Sequence, residues 1–163
     1  MSIKLNYLSK TGNNSANQIL FTNEKFSING LKKFLSDQEF SYINDLLKTS
    51  DLKKNLLVFE LNSKKKIVLI SIKDRLKISD IENLGAELYG RINYGKNPEY
   101  FIVSDSIVSK NNNFLGYFLH GLKLKSYEFK KYKTKNETRI ITINVLGNKN
   151  KPSALSQLKF KAL

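Results

Sequence analysis

The sequence predicts a layered α/β domain, with a largely parallel or mixed sheet and helices on both of its faces. Short apolar runs typical of strands alternate along the chain with segments whose apolar residues recur at helical spacing. Two serine-led capping boxes mark helix starts within this alternation. The 163 residues, of which 40% are hydrophobic, suffice for one domain with a single core.

The chain opens with two predicted strands. Residues 2–8 alternate apolar and polar side chains, which is the period of a half-buried strand. Residues 17–22 follow the turn-like stretch at residues 11–15 and have an apolar centre. This second strand is expected to pair with the first, as a hairpin or across the sheet.

A helix and two more strands come next. Ser36 and Glu39 have the spacing of a capping box, and the apolar residues after them predict a helix that continues to Lys48. Residues 56–61 and 67–72 predict two strands around the turn NSKKK. The second of these is apolar almost throughout, which indicates a central strand covered on both faces.

The second half of the chain begins with another helix. Ser79 and Glu82 repeat the capping-box spacing, and apolar residues recur at helical spacing as far as Ile92. The remaining elements are a buried strand at residues 100–104, a helix at about residues 112–122, a strand at residues 139–146, a turn or linker at residues 147–152 and the start of a helix at residues 153–163. The last segment carries leucines that no other element obviously covers, so we expect it to be a piece of a longer polypeptide.

The formal charge of +14 suggests a polyanionic partner such as nucleic acid. However, 25 of the 28 basic residues are lysines, scattered along a chain rich in asparagine and isoleucine, as an AT-rich coding bias would produce. Nucleic-acid binding therefore stays the alternative function. The absence of an apolar run of about 20 residues, of a signal peptide and of cysteine predicts a cytoplasmic protein without a membrane partner.

Few residues offer catalytic chemistry. Ser104, Asp105 and His120 form a triad only on paper, because the glycines of a nucleophile elbow are lacking, and the serines are better interpreted as satisfying backbone groups at a strand end. His120 is the one histidine and has no cysteine to share a metal with. The junction after residues 67–72 has no glycine to cradle a phosphate. No cofactor is predicted for this chain.

The stretch from Phe114 to Lys135 is the most informative part of the sequence. Phe114, Phe118 and Leu122 predict a core helix, whereas the later aromatic and lysine residues look too irregular to continue it. In the nucleic-acid alternative the contacts are Tyr127, Lys131, Tyr132 and Lys133. In the structural interpretation, Tyr127 and Phe129 pack onto the core.

This same stretch resembles a segment near the end of the N-terminal domain of leucyl aminopeptidases of peptidase family M17. The matching residues are Gly121, Leu122, Leu124, Tyr127, Phe129, Tyr132, Lys133, Thr134 and Lys135. Weaker agreement extends over residues 56–163. The chain departs from the family where glycines usually follow the strand at residues 67–72, and where Lys125 replaces a glycine.

The resemblance implies a three-layer, macro-domain-like α/β/α domain at residues 1–150, with residues 151–163 leading into a catalytic domain. In such a parent, two manganese or zinc ions serve the release of N-terminal residues such as leucine, in a cytoplasmic hexamer whose N-terminal domains contribute to assembly and substrate access. Some bacterial members also bind DNA. The family's Asn-Thr-Asp-Ala-Glu-Gly-Arg-Leu signature is absent here, so no catalytic or metal-binding residue is carried over. ADP-ribose binding, by analogy with macro domains, is disfavoured because the glycine-rich loops are lacking.

Overall fold

The computed structural model describes residues 2–8, 17–62, 65–92, 98–107, 113–131 and 140–147. They form strands, α-helices and two short 3-10 helices in an alternating order. The strands are β1 (Ser2–Leu8), β2 (Asn17–Asn23), β3 (Leu56–Glu60), β4 (Lys66–Ile72), β5 (Glu99–Val103) and β6 (Ile140–Leu146). The helices are α1 (Asp37–Leu47), α2 (Ile78–Ile92) and α3 (Phe114–Lys131), with 3-10 helices at Asn29–Phe34 and Ser104–Ser106.

The strands form a six-stranded mixed sheet in the order β1-β6-β5-β2-β4-β3. All neighbours are parallel except β3 and β4, which form the expected antiparallel hairpin. β1 pairs with β6, Ser2 opposite Ile140, and two strands separate it from β2, so the expectation that β1 and β2 pair is wrong. Strand pairing here follows parallel crossovers rather than the nearest turn in the sequence.

Helices cover both faces, which confirms the three-layer architecture. On one face α2 and α3 pack over inward-pointing residues such as Phe21 and Ile70. On the other face α1 and the first 3-10 helix pack over Leu20 and Leu69. β4 is buried along both faces as predicted, although it lies one strand in from the β3 edge.

The first predicted helix start is confirmed. Ser36 accepts a hydrogen bond from the Glu39 amide (3.1 Å), and the Glu39 carboxylate accepts one from the Ser36 amide (3.0 Å). The same carboxylate lies 2.6 Å from the ammonium of Lys65, whose side chain is 8% exposed. This ion pair joins the start of α1 to the chain just before β4.

The second predicted capping box is wrong. α2 begins at Ile78, and the Asp80 carboxylate accepts a hydrogen bond from the Lys77 amide at 2.9 Å. The aspartate thus satisfies a backbone amide at the start of the helix. Ser79 already lies inside the helix and therefore cannot act as its N-cap. Glu82 therefore takes no part in the helix start and pairs across the α2–α3 interface instead.

α3 continues nine residues beyond the predicted end at Leu122 and reaches Lys131. Its inner face stays buried past Leu122, as Ser126 shows, with 3% exposure and a hydroxyl that donates to the Lys123 carbonyl (2.6 Å). Lysine is a good helix former and tolerates the outer face of a helix. Among the residues after Leu122 whose exposure is described, Lys125 and Tyr127 lie on the solvent side, whereas Lys123 and Ser126 are buried.

We expect the stability of this protein to fall more steeply on acidification than that of the Glu39→Gln variant. Burial raises the pKa of Glu39, but the hydrogen bonds from Lys65 and the Ser36 amide and the charge of Lys65 outweigh it and hold the pKa below its usual value. The carboxylate therefore stabilises the fold above its unfolded pKa, and this contribution is lost as the pH falls through the folded pKa. Urea unfolding followed by circular dichroism at about pH 6 and about pH 3 measures it.

The control is Glu60→Gln. Glu60 is also paired with a lysine, Lys66, but at 3.8 Å and with 71% of its side chain exposed, so its contribution is small. We expect this variant to keep the acid sensitivity of the wild type. Equal acid sensitivity of the Glu39→Gln variant and the wild type would contradict the role assigned to the Lys65–Glu39 pair.

Candidate functional site: the α2–α3 helix pair

The segment that carries the family resemblance lies in the second half of α3, where this helix packs against α2. A Cβ atom at Gly121 would lie 1.9 Å from the carbonyl oxygen of Glu82. On the opposing helix, a Cβ atom at Gly85 would lie 2.0 Å from the carbonyl oxygen of Phe118. The two backbones are thus in direct contact at two points, and only glycine fits at either.

Gly121 therefore has a structural role that the resemblance alone did not supply. Gly85 was not singled out from the sequence, although one signal was present. A glycine inside a strongly helical pattern costs helix stability and often has a packing reason. Which helix it meets depends on the three-dimensional arrangement of α2 and α3.

His120 contacts Glu82 across the same interface, through a hydrogen bond between Nδ1 and Oε2. Both side chains are about a quarter exposed, at 26% and 27%. Ser104, the candidate nucleophile, instead donates from Oγ to the Leu146 carbonyl at 2.7 Å. The histidine thus joins two helices, in line with its structural interpretation.

The side chains after Gly121 divide between the two faces of α3. Leu122 is fully buried, whereas Leu124 and Tyr127 are each 40% exposed. The expectation that Tyr127 packs on the core is wrong. Because α3 continues as a helix, Tyr127 lies on the same exposed face as Leu124, three residues earlier. The side chains of Phe129 and Lys131, and all of Tyr132, Lys133, Thr134 and Lys135, lie outside the described part, as do residues 148–163.

An open groove of about 330 Å³ runs beside this helix contact. Leu124 and Lys125 of α3 form part of its lining, opposite Ser79, Asn83 and Ala86 of α2. The groove combines small, polar and apolar side chains with one lysine and one glutamate, Glu82. Its composition suits packing against another surface rather than bond-making chemistry.

The carboxyl edge of the sheet, where β2 and β5 lie side by side, is the other place at which an α/β fold can form a ligand site. Here Ser106 accepts a hydrogen bond from the Phe21 amide (3.0 Å) and donates one to the Val103 carbonyl (2.6 Å), which confirms that it satisfies backbone groups. The Asn23 side chain accepts hydrogen bonds from the backbone amides of Lys25 and Ser27. Phe26, which is buried with a φ of 55°, fills the space below this turn.

Among the described residues, no group of three or more histidine, aspartate or glutamate side chains is arranged to hold a metal ion. The described residues therefore do not fit a two-metal site. None of the described helices is both long enough and apolar enough to span a membrane.

Comparison with known proteins gives a fold but no sequence relative. No protein-family model matches the chain, and no curated protein sequence matches it. A mutant form of tomato leucine aminopeptidase is similar in structure, with a TM-score of 0.64 and 13% identity over 98% of this chain and 35% of that one. Cytosol aminopeptidase from Coxiella burnetii matches with a TM-score of 0.55 and 9% identity, over 95% of this chain and 30% of that one.

A macrodomain is also similar. The macrodomain of Thermus aquaticus DarG matches with a TM-score of 0.54 and 10% identity, over 90% of this chain and all of that one. The present chain thus spans about a third of the length of the two aminopeptidases and the whole of a macrodomain. Its fold is the macro-domain-like α/β/α fold that solved leucine and cytosol aminopeptidases share, as the resemblance at Gly121 to Lys135 implied.

Proposed function

We propose that this chain is a non-catalytic accessory domain of a metallo-aminopeptidase, which releases N-terminal residues such as leucine from peptides. The observation that carries the proposal is the structural match to two aminopeptidases over at least 95% of this chain and about a third of theirs. The local resemblance at Gly121 and the residues after it supports the same family. In addition, the polar groups that looked catalytic in the sequence are engaged in structural contacts, as in the His120–Glu82 pair.

The remaining parts of the proposal concern the parent protein. Its catalytic domain would bind two manganese or zinc ions, and its subunits would form a hexamer in the cytoplasm. The name of the Coxiella protein, a cytosol aminopeptidase, supports that location. The accessory domain would contribute to assembly and substrate access, and the exposed Leu124 and Tyr127 beside the α2–α3 groove supply a surface for such contacts.

Two measurements test this function. The reading frame after codon 163 is expected to encode the family's Asn-Thr-Asp-Ala-Glu-Gly-Arg-Leu signature, and a stop codon there would contradict the proposal. The 163-residue chain itself is expected to leave leucine p-nitroanilide intact in the presence of Mn²⁺ or Zn²⁺. Hydrolysis by the purified chain that a chelator abolishes would show that the chemistry resides in this domain.

A nucleic-acid-binding module remains the second candidate, because Tyr127 is displayed on the outer face of α3 rather than buried. An exposed aromatic ring beside lysines is the arrangement on which single-stranded bases stack. This function predicts that Tyr127→Ala weakens binding to a fluorescent single-stranded oligonucleotide by about 5-fold or more, as measured by anisotropy. If the binding falls with salt but is changed neither by Tyr127→Ala nor by the control Tyr42→Ala on α1, it reflects only the net charge of +14.

A further inference from the structure

A second cavity lies at the carboxyl end of β4 and shares Asn83 of α2 with the α2–α3 groove. It has a volume of about 310 Å³, which is at the lower end of the range for small-molecule sites, about 300–1,000 Å³. Its lining comes from Asn55 before β3, from the end of β4 and the loop after it, and from α2 as far as Glu87. Pockets in α/β sheets form preferentially at the carboxyl ends of the strands, and this one has that position.

The charges around this cavity are of both signs. Lys73 and Arg75 come from the loop after β4, and Glu87 comes from α2. Within the described part of the chain, none of these three side chains forms an ion pair. Positively and negatively charged side chains thus line one cavity without pairing with each other, so a ligand in the cavity lies near both.

The remaining lining defines the size and polarity of a ligand. Leu76 and Leu84 supply the apolar part of the lining. Asp80 also lines the cavity, but its carboxylate already accepts the hydrogen bond from the Lys77 amide. Glu87 is thus a carboxylate without such a hydrogen bond among the described residues and is the one assigned here to a positive group, while Lys73 and Arg75 are available to a negative one.

We propose that this cavity binds a small zwitterion with an apolar side chain, namely a free α-amino acid such as leucine or a short peptide of that size. The ligand carboxylate pairs with Arg75 and Lys73, because guanidinium groups bind carboxylates in a planar, two-point arrangement. Its ammonium group pairs with Glu87, and its side chain lies against Leu76 and Leu84. The argument rests on this cavity alone and does not depend on the aminopeptidase proposal.

The test compares three probes and three variants by titration of the ¹⁵N-labelled protein, followed by NMR. L-Leucine has both charges, L-leucinamide lacks the carboxylate and N-acetyl-L-leucine lacks the ammonium group. The variants are the double substitution Lys73→Gln with Arg75→Gln, the single substitution Glu87→Gln, and the control Arg91→Gln near the end of α2. All of these positions are exposed, so the fold is expected to persist in every variant.

We expect L-leucine to shift the amide signals of Lys73, Arg75 and Asn83 in a saturable manner. Loss of the two cations should weaken L-leucine and N-acetyl-L-leucine by about 10-fold and leave L-leucinamide unchanged. Loss of Glu87 should weaken L-leucine and L-leucinamide by a similar factor and leave N-acetyl-L-leucine unchanged. The Arg91 variant should bind all three probes as the wild type does.

Three results would overturn the inference. The first is the absence of saturable shifts at these amides with millimolar L-leucine. The second is equal binding of L-leucine by the cavity variants and the Arg91 control. The third is binding of inorganic phosphate alone, which would make the site a simple anion site. Because none of these measurements involves peptide hydrolysis, their failure is separate from a failure of the proposed aminopeptidase role.

Discussion

The Gly121→Ala variant is expected to lose about 3 kcal/mol or more of its free energy of unfolding, because the added methyl group cannot enter the α2–α3 contact. Its Cβ atom would lie 1.9 Å from the Glu82 carbonyl oxygen, which is backbone and therefore has no rotamer through which to move away. The helices would have to separate, and the His120–Glu82 pair between them would be disturbed. Urea unfolding followed by circular dichroism measures the loss.

Gly90 offers a matched control on α2. It is also a glycine inside a helix, but apart from the backbone of its own helix no atom lies within 4 Å of the position its Cβ would take. Gly90→Ala is therefore expected to raise the free energy of unfolding by about 0.5–1 kcal/mol, through helix propensity and a less flexible unfolded chain. A Gly121→Ala variant as stable as Gly90→Ala would mean that the helices do not touch as described.

Gly85→Ala extends this test across the interface. Its cost should resemble that of Gly121→Ala, because its Cβ would lie 2.0 Å from the Phe118 carbonyl oxygen. The double variant should cost less than the sum of the two single variants, since one separation of the helices relieves both clashes. Strict additivity would instead indicate two independent local distortions.

Phe21→Ala is expected to cost about 3–5 kcal/mol of unfolding free energy, the range for truncation of a buried phenylalanine. Phe21 is 1% exposed, and its ring meets those of Phe114 and Phe118 edge-on, with centroids 5.6 Å and 5.4 Å away. Truncation removes both aromatic contacts and leaves a cavity between β2 and α3. The backbone hydrogen bond from Phe21 to Ser106 is retained, so the loss reports on the side chain alone.

Two further variants calibrate that result. Phe21→Leu keeps most of the volume and should cost clearly less than Phe21→Ala. Tyr42→Ala removes an aromatic ring that is 47% exposed on α1, and should change stability by about 0.5 kcal/mol at most. A Phe21→Ala variant no less stable than Tyr42→Ala would contradict the placement of Phe21 at the centre of this core.

Elements with a strong local signal were predictable from the sequence. The capping box at Ser36 and Glu39 is confirmed because both of its hydrogen bonds are made within four residues. The hairpin of β3 and β4 is confirmed because a short turn joins two apolar runs. The α/β layering was predictable because segments with the apolar repeat of a strand alternate with segments that have the apolar repeat of a helix. Each repeat determines which side chains share a face.

Predictions failed where a local pattern had more than one solution. The spacing at Ser79 and Glu82 satisfied a capping box on paper, yet Asp80 caps the helix and Glu82 pairs with His120. The polar residues after Leu122 suggested a loop, although α3 continues through them as a helix with one solvent-exposed face. The start of α2 follows a local hydrogen bond that competes with the predicted capping box, whereas the length of α3 depends on its packing against α2, which no local motif encodes.

The sequence by itself determined the fold class, most of the strands and helices and a resemblance that led to the aminopeptidase proposal, because these depend on periodicity and short-range chemistry. The tertiary structure alone decided the strand order, the role of Gly85 and Gly121 at a backbone contact, and the display of Tyr127. It also brought Lys73, Arg75 and Glu87 around one cavity. These features depend on distances between residues far apart in the chain, and such distances are set only when the sheet and its helices pack together.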